Sequence, residues 1–377
     1  MTQARNYEAI VVGLGAMGSA TLYHLARRGV HALGLEQFSP GHSLGSSHGD
    51  SRIIRETYFE HPLYVPLVQR AHQLWRELEV TTGISLMKIT GGLMVGPPDG
   101  MVVAGTLRSV REYELPHEEL SAAEMTKRYP AFRLPEGVVA VLDLRAGYLD
   151  PEACTRSHLA AAVTSGAETH FDEPVVDWSA DGEGVQVRTP YSEYGTDRLV
   201  LCAGPWMQRV SQLSSLALTV ERQTVFWFDA PAASGYDGDR FPIYAYEFKP
   251  GTICYGFPSL PRGMKASVMH DGQTVSGPDH VDRQVSAEDV EPLRAALRPI
   301  LPALAESRVR ETSVCLFTNT RDHDFVIDFH PEHRNVLVSS PCSGHGFKFA
   351  SAIGELQADL LATGKTAFDL SPFAIGR

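Results

Sequence analysis

Apolar residues fall in short continuous runs at some places in the chain and at three- to four-residue spacing at others, and the two patterns alternate. Ala9-Ile10-Val11-Val12 is an unbroken apolar run ending at glycine, the mark of a buried parallel strand. Met17 to Arg28 then reads as a helix, and Ala32 to Glu36 as a second strand. Tyr64 to Leu78 carries apolar residues at helical spacing, whereas Gly91 to Glu114 and Thr224 to Tyr255 read as strand-like and aromatic. Arg198 to Gly204 is a further strand entering a glycine turn. Near the C-terminus, Phe349, Ile353, Leu356 and Leu360 form one apolar stripe, which predicts an amphipathic helix. No repeat or low-complexity linker interrupts the pattern. The alternation predicts an α/β fold in which a nucleotide-type βαβ unit is interleaved with a second, β-rich domain.

Composition narrows this only by exclusion. A chain of 377 residues is long enough for two ordinary cores. With 43% hydrophobic and 21% charged residues it reads as a soluble globular protein. No apolar run approaches the roughly 20 residues that span a bilayer, and the N-terminus shows no signal-peptide core or cleavage site. Five cysteines without a C-x-x-C pair suggest neither a disulfide framework nor a zinc site, so no metal is expected and a reducing cytoplasm is. A net charge of −12 argues against nucleic acid, which needs clustered Lys and Arg.

Gly13-Leu14-Gly15-Ala16-Met17-Gly18 matches G-x-G-x-x-G, directly after a strand and opening a helix. In this Rossmann-type arrangement Gly13 allows the tight turn, Gly15 lets the backbone approach a pyrophosphate, and Gly18 lets helix and sheet pack closely. The helix N-terminus presents unpaired N–H groups to the phosphates. Glu36 ends the second strand, where a carboxylate accepts hydrogen bonds from a ribose hydroxyl and would repel the extra phosphate of NADP. These residues alone leave NAD and FAD both open.

Three further segments separate them: Ser46-Ser47-His48-Gly49-Asp50-Ser51-Arg52-Ile53-Ile54-Arg55, the stretch from Thr312 through Cys315 to Thr320, with Asp328 beyond it, and Ser343-Gly344-His345-Gly346-Phe347-Lys348-Phe349. Together they resemble the monomeric sarcosine oxidase family of FAD-dependent amine oxidases, which includes N-methyltryptophan oxidase and pipecolate oxidase. The resemblance runs from Tyr7 to Ile375. It implies that Cys315 forms a thioether to the flavin 8α-methyl; a thiolate is a fitting nucleophile there, although alone the residue would read as a small buried hydrophobe. Arg55 and Lys348 match the pair that holds the substrate carboxylate, a planar fork beside a point charge. Arg52 and His48 match tuning groups beside the flavin ring, and His48 equally fits a structural histidine. Lys265, in Gly263-Met264-Lys265-Ala266, matches the lysine that activates oxygen. The Gly344-His345-Gly346 turn with Phe347 and Lys348 would aim the last helix at the flavin pyrimidine edge. Val175 matches a strand bracketing the adenine, and Ala203, Gly204 and Trp206 a turn near the flavin. Ala16, Met17, Gln37, Ser47 and Ile53 complete the expected cofactor contacts.

The implied architecture is a Rossmann-type FAD-binding domain from residues 1–88, 145–220 and 315–377, interleaved with a β-sheet-rich substrate domain from 89–144 and 221–314. The implied reaction is hydride transfer from the carbon beside a secondary amine to flavin, imine hydrolysis to the demethylated amino acid and formaldehyde, and reoxidation by O2 to H2O2. Small secondary amino acids and O2 are the expected partners of a monomeric cytoplasmic enzyme. A cyclic imino-acid oxidase, or a flavin dehydrogenase serving a quinone or carrier, is the alternative. The chain departs from the family pattern at Met269, where a histidine is usual, with His270 next to it, at Phe317 in place of a tyrosine, and at Cys342. The first two changes predict a less polar pocket, whereas Cys342 replaces a usually apolar side chain and is expected as a second thiol near the flavin.

Overall fold

The computed structural model describes residues 5–232, 235–236 and 241–377. Residues 1–4 at the N-terminus, and residues 233–234 and 237–240 within the strand-like stretch Thr224 to Tyr255, lie outside the described residues.

Strand Arg5–Val12 lies inside an eight-stranded sheet, parallel to Ala32–Leu35 on one side and to Glu193–Leu201 on the other. Glu168–His170 extends it in parallel beyond Ala32–Leu35, and Val336–Ser340 runs parallel to Glu193–Leu201. Successive side chains of the first strand face opposite sides. Ala9 and Val11 pack on the helical layer, while Ile10 and Val12 pack beneath Trp178 and Val187 of an antiparallel meander. The unbroken apolar run is therefore explained by burial on both faces.

Helices Ala16–Ala26, Pro151–Thr164 and Ala350–Thr363 pack together over the sheet, with Val65–Thr82 against the last of them. His24 and His158 are buried in this layer beside Tyr23 and Trp75. Burial, reinforced by Arg28, draws His24 down to about 3, and burial holds His158 well below the usual histidine range. The final helix differs from its predicted amphipathic form. Its stripe Phe349, Ile353, Leu356 and Leu360 is buried, but so are Ala350, Ser351, Ala352, Gly354, Gln357 and Ala358 on its other sides. It crosses helix Ala16–Ala26 so closely that a Cβ on Gly354 would lie 2.5 Å from the Ala20 carbonyl carbon.

The second sheet has nine strands, in the order Gln273–Val275, Thr219–Phe228, Gly263–Val268, Thr252–Leu260, Ile243–Lys249, Gly92–Gly96, Val139–Asp143 and His117–Leu120, with Val309–Asn319 also paired to Thr219–Phe228. The stretch Gly91 to Glu114 is only partly strand. Gly92–Gly96 is extended, but Met101–Tyr113 is a helix. Its buried residues Val102, Val103, Thr106, Ser109 and Val110 follow a helical period, which the β-branched Val-Val pair masks. Expected domain limits at 220/221 and 314/315 fall inside the continuous strands Thr219–Phe228 and Val309–Asn319. A small third sheet joins Arg52–Ile54, Gly147–Leu149 and Met87–Ile89.

Candidate active site

A cleft of about 2030 Å³, part of it open to solvent, draws its walls from both large sheets. At one end lies the glycine turn. Gly13 has φ +88°, and a Cβ there would meet the Cys202 carbonyl oxygen at 2.6 Å; a Cβ on Gly18 would fall 1.7 Å from the Gly13 oxygen. Gly15 is different: its nearest neighbour would be Ser47 Oγ at 3.4 Å, so its face is open to the cleft. Ser47 Oγ accepts from the Ala16 amide (3.1 Å), and Glu36 accepts from the amides of Leu14 (2.8 Å) and Phe38 (3.1 Å). Burial raises the Glu36 carboxyl above its usual range, against these amides. Met17, Gln37, Val175, Ala203, Gly204 and Trp206 also line this region.

Toward the second sheet the cleft reaches Cys315. Arg52 Nη2 lies 3.4 Å from its sulfur and donates to Ser46 O at 2.9 Å. Burial alone would raise this thiol. Arg52, His48 beside it and Lys265 outweigh burial and bring it down to about 6. Another thiol on the cleft, that of Cys342, is pushed up by burial to about 11. Lys265 stands on Gly263–Val268, opposite Trp227, with its ammonium donating to the carbonyls of Gly49 (2.6 Å) and Ser51. Glu152 holds that turn by accepting from the Gly49 amide (2.6 Å) and the Asp50 amide (3.3 Å). Burial first and Arg52 second keep the Lys265 pKa well below the usual lysine range, with Cys315, Asp50 and Glu152 opposing.

Arg55 and Lys348 meet over one ring. The Arg55 guanidinium lies 4.2 Å and the Lys348 ammonium 5.4 Å from the centre of Tyr58. Arg55 is ion-paired with Glu60, and Lys348 donates to His345 O at 2.7 Å. Burial and Arg55 lower Lys348 to about 7, with Glu60 opposing. His345 Nε2 lies 3.0 Å from the His323 carbonyl and so carries the proton, leaving Nδ1 to accept from Tyr58 Oη at 2.5 Å. Burial lowers this imidazole to about 4, so it is neutral at physiological pH. Met269 and Phe317 line the cleft. His270 turns instead toward Glu221 (3.3 Å) and His323 (3.3 Å), so it does not stand in for a histidine at 269.

Residues 8–360 match the family described as FAD dependent oxidoreductase. The chain belongs to that family. A monomeric sarcosine oxidase of Streptomyces avermitilis is 40% identical over 372 residues, which cover 97% of this chain and 96% of that protein. An N-methyl-L-tryptophan oxidase of Citrobacter koseri is 32% identical, covering 98% and 99%. Among solved structures, NikD, an amino acid oxidase of nikkomycin biosynthesis, superposes with a TM-score of 0.84 at 24% identity over 99% of this chain and 98% of that one. L-proline dehydrogenase from P. horikoshii gives 0.85 at 20%, over 99% and 97%. At such identities these two show the shared fold.

For a member of the FAD dependent oxidoreductase family, the walls must suit FAD, and three buried atoms test this. Ser51 Oγ, Glu60 Oε1 and Thr318 Oγ1 belong to cleft-lining residues and have no hydrogen-bond partner among the described residues. Buried polar atoms rarely stay unpaired, so the wall is built to meet a polar ligand. Of the residues expected at the site, Gly13, Gly15, Ile53, Gly344, Gly346 and Phe347 line the cleft with those placed above, while Gly18 and His48 stand behind its surface. Glu60, Glu152 and Tyr255 are wall residues that the sequence did not single out. Burial raises the Tyr255 phenol to about 12, so it is a neutral donor.

Proposed function

We propose that this FAD enzyme oxidises a secondary amino acid, sarcosine or another N-methyl amino acid, with O2 as electron acceptor and H2O2 as product. The observation that carries the reading is that Arg55 and Lys348, both lining the cleft that also holds Cys315 and Lys265, converge on the ring of Tyr58 buried behind its surface. Two cations beside one ring and open to the same cleft form a clamp for a carboxylate. The similarity to named sarcosine and N-methyltryptophan oxidases supports the same class of substrate.

Bound along the cleft, FAD supplies the two-electron acceptor for the hydride that leaves the carbon beside the substrate nitrogen. Arg55 and Lys348 fix the carboxylate and so orient that carbon. Water then hydrolyses the imine to the demethylated amino acid and formaldehyde. Lys265, whose charged form is supported against burial by two backbone carbonyls and by the Cys315 thiolate, Asp50 and Glu152, is the fixed cation for charge developing on O2. Cys315 is the point of thioether attachment. Its lowered thiol, against the raised one of Cys342, supports that choice. Residues 1–88, 145–220 and 315–377 form the cofactor unit, which also contributes Arg55 and Lys348 to the substrate, and the intervening segments form the substrate domain, with the limits adjusted to strand ends. The Streptomyces avermitilis relative is named a monomeric enzyme, which supports a monomer, and all five cysteines are free, which suits the cytoplasm. Among the described residues no helix is long and apolar enough to cross a membrane.

The test is O2 consumption and H2O2 release across sarcosine, N-methylalanine, N-methyltryptophan, pipecolate and proline, with the methyl esters alongside. N-methyl amino acids should react. Loss of one partner of a desolvated charged contact costs on the order of 2–5 kcal/mol, so the esters should be about thirtyfold slower or worse. Met269 and Phe317 should favour side chains larger than that of sarcosine. Esters that react as well as acids would remove the clamp, and turnover with a quinone but not with O2 would make the protein a dehydrogenase.

A further inference from the structure

Arg283 lies in the irregular segment before helix Glu291–Leu297 and has no carboxylate within ion-pairing distance among the described residues. Its guanidinium donates instead to three backbone carbonyls: Leu44 at 2.6 Å, Val314 at 3.2 Å and Ser43 at 3.4 Å. Ser43 and Leu44 belong to the exposed part of the loop that carries Ser46, Ser47 and His48. Val314 immediately precedes Cys315. Two residues beyond Leu44, Ser46 Oγ donates to Leu316 O at 2.6 Å. The loop is thus fastened to the Cys315 strand at the residues on either side of the thiol, once through Arg283 and once through Ser46.

The position on the sheet gives this fastening its meaning. Strand Val309–Asn319 pairs with Thr219–Phe228, where Cys315 faces Gln223, and no other described strand pairs with it. Carbonyls two residues apart on a strand point the same way, so those of Val314 and Leu316 both serve the free edge. An uncovered edge leaves such carbonyls unpaired. Here they bring in Ser46, whose own carbonyl accepts from Arg52 (2.9 Å) and lies 3.7 Å from the Cys315 sulfur. Arg52, Ser46 O and the thiol therefore depend on the loop being docked. Burial lowers the pKa of the Arg283 guanidinium, and the Cys315 thiolate opposes that shift, which places the two groups within each other's field.

We propose that Arg283 is a positioning residue for flavin attachment, docking the 43–46 loop onto the free strand edge so that the Cys315 thiolate is held beside Arg52. The inference rests on the reading of Cys315 as the attachment point. Attachment replaces the Cys315 S–H and one C–H of the flavin 8α-methyl by a single C–S bond. The two electrons pass to FAD and from it to O2, and the two protons released to solvent are matched by the two that O2 takes up, giving H2O2. Such a bond needs sulfur and carbon within about 3–3.5 Å and aligned, a demand that non-covalent FAD binding does not make.

The experiment expresses the full chain unaltered and as Arg283→Met, Arg283→Gln and Arg283→Lys. FAD per chain is measured in the native proteins, together with the share of that flavin that stays in the pellet on acid precipitation. The unaltered protein should keep all of its flavin. Arg283→Met should bind FAD with native stoichiometry and thermal midpoint while its attached share falls about fivefold or more. Arg283→Gln and Arg283→Lys, which keep some N–H donors, should fall in between. A purely structural role would instead lower FAD content and midpoint together at an unchanged attached share. An attached share in Arg283→Met equal to the unaltered protein's overturns the proposal. So does full recovery in Arg283→Lys with none in Arg283→Gln, which would make charge, not docking, responsible. Should Arg283→Met fail to accumulate, an undiminished share in Arg283→Gln overturns it. Release of flavin from the unaltered protein would overturn attachment itself, and this inference with it.

Discussion

At Lys348, burial and the neighbouring Arg55 leave an ammonium that titrates at about 7. Below that pH it is charged and attracts a carboxylate; above it the clamp retains only Arg55, whose guanidinium is shared with Glu60. The dissociation constant of a simple carboxylate such as propionate, read from the flavin spectrum, should therefore rise above pH 7, by up to about tenfold per unit. Lys348→Met should bind more weakly and lose that dependence, and a constant that stays level to pH 9 in the unaltered protein would contradict the site. That Lys348, Lys265 and Cys315 would line one cleft was legible in the sequence because each stands in a motif whose neighbours are local. Glu60 and Glu152 were not. Glu152 acts on Gly49 from 103 positions away, and Glu60 matters through the ion pair that the fold gives it with Arg55 and through a buried oxygen with no hydrogen-bond partner among the described residues.

Among elements, the helix Ala350–Thr363 shows what periodicity conveys and what it omits. Its stripe was visible, but burial on its other sides was not, because Ala, Ser and Gly there look neutral in a hydrophobic pattern yet permit close crossing. Gly354→Val places atoms against the Ala20 backbone, which cannot rotate away as a side chain would. Overpacking of this kind costs about 1–3 kcal/mol. The urea midpoint should fall accordingly while the visible flavin spectrum is retained; an unchanged midpoint would mean the two helices are not in contact at Gly354. Helix Met101–Tyr113 failed in the opposite sense, since Val102-Val103 carries strand propensity that tertiary burial overrides. Only glycine fits at 105, where a Cβ would lie 2.2 Å from Phe59 O.

Across the whole molecule, the interleaving of two sheets was legible from alternating patterns, but the limits were not, because single strands serve both units. Val309–Asn319 is a strand of the second sheet that delivers Cys315 to the cofactor cleft. A tether at that position makes cofactor loss impossible without breaking a bond, so the melting temperature of the unaltered protein should not respond to added FAD. Cys315→Ser restores mass action. Its midpoint should climb with free FAD, equivalent to about 2.7 kcal/mol at a hundred times the dissociation constant. A midpoint in Cys315→Ser that ignores FAD, or one in the parent that follows it, would count against attachment there.

The buried histidines give the molecule an acid limit. In the unfolded chain His24, His158 and His345 each take up a proton near pH 6.5, whereas in the folded protein His24 waits until about 3, His345 until about 4, and His158 stays well below the usual range. Their folded values are depressed, so the unfolded state binds more protons as pH falls. The stability that their neutrality secures is complete above pH 6.5 and drains away as the pH drops toward 4, by roughly 1.4 kcal/mol per unit for each histidine. Unperturbed carboxylates titrate below this window, and one raised by burial such as Glu36 takes up its proton in the folded state and so works against the decline, which leaves the loss of stability between pH 6.5 and 4.5 to imidazole. Urea midpoints measured across that interval should decline steeply, and a flat profile would mean that the rings are not buried neutral. A catalyst firm at neutrality would then come apart in a mildly acidic compartment, its helical layer dismantled by protons before any peptide bond is cut.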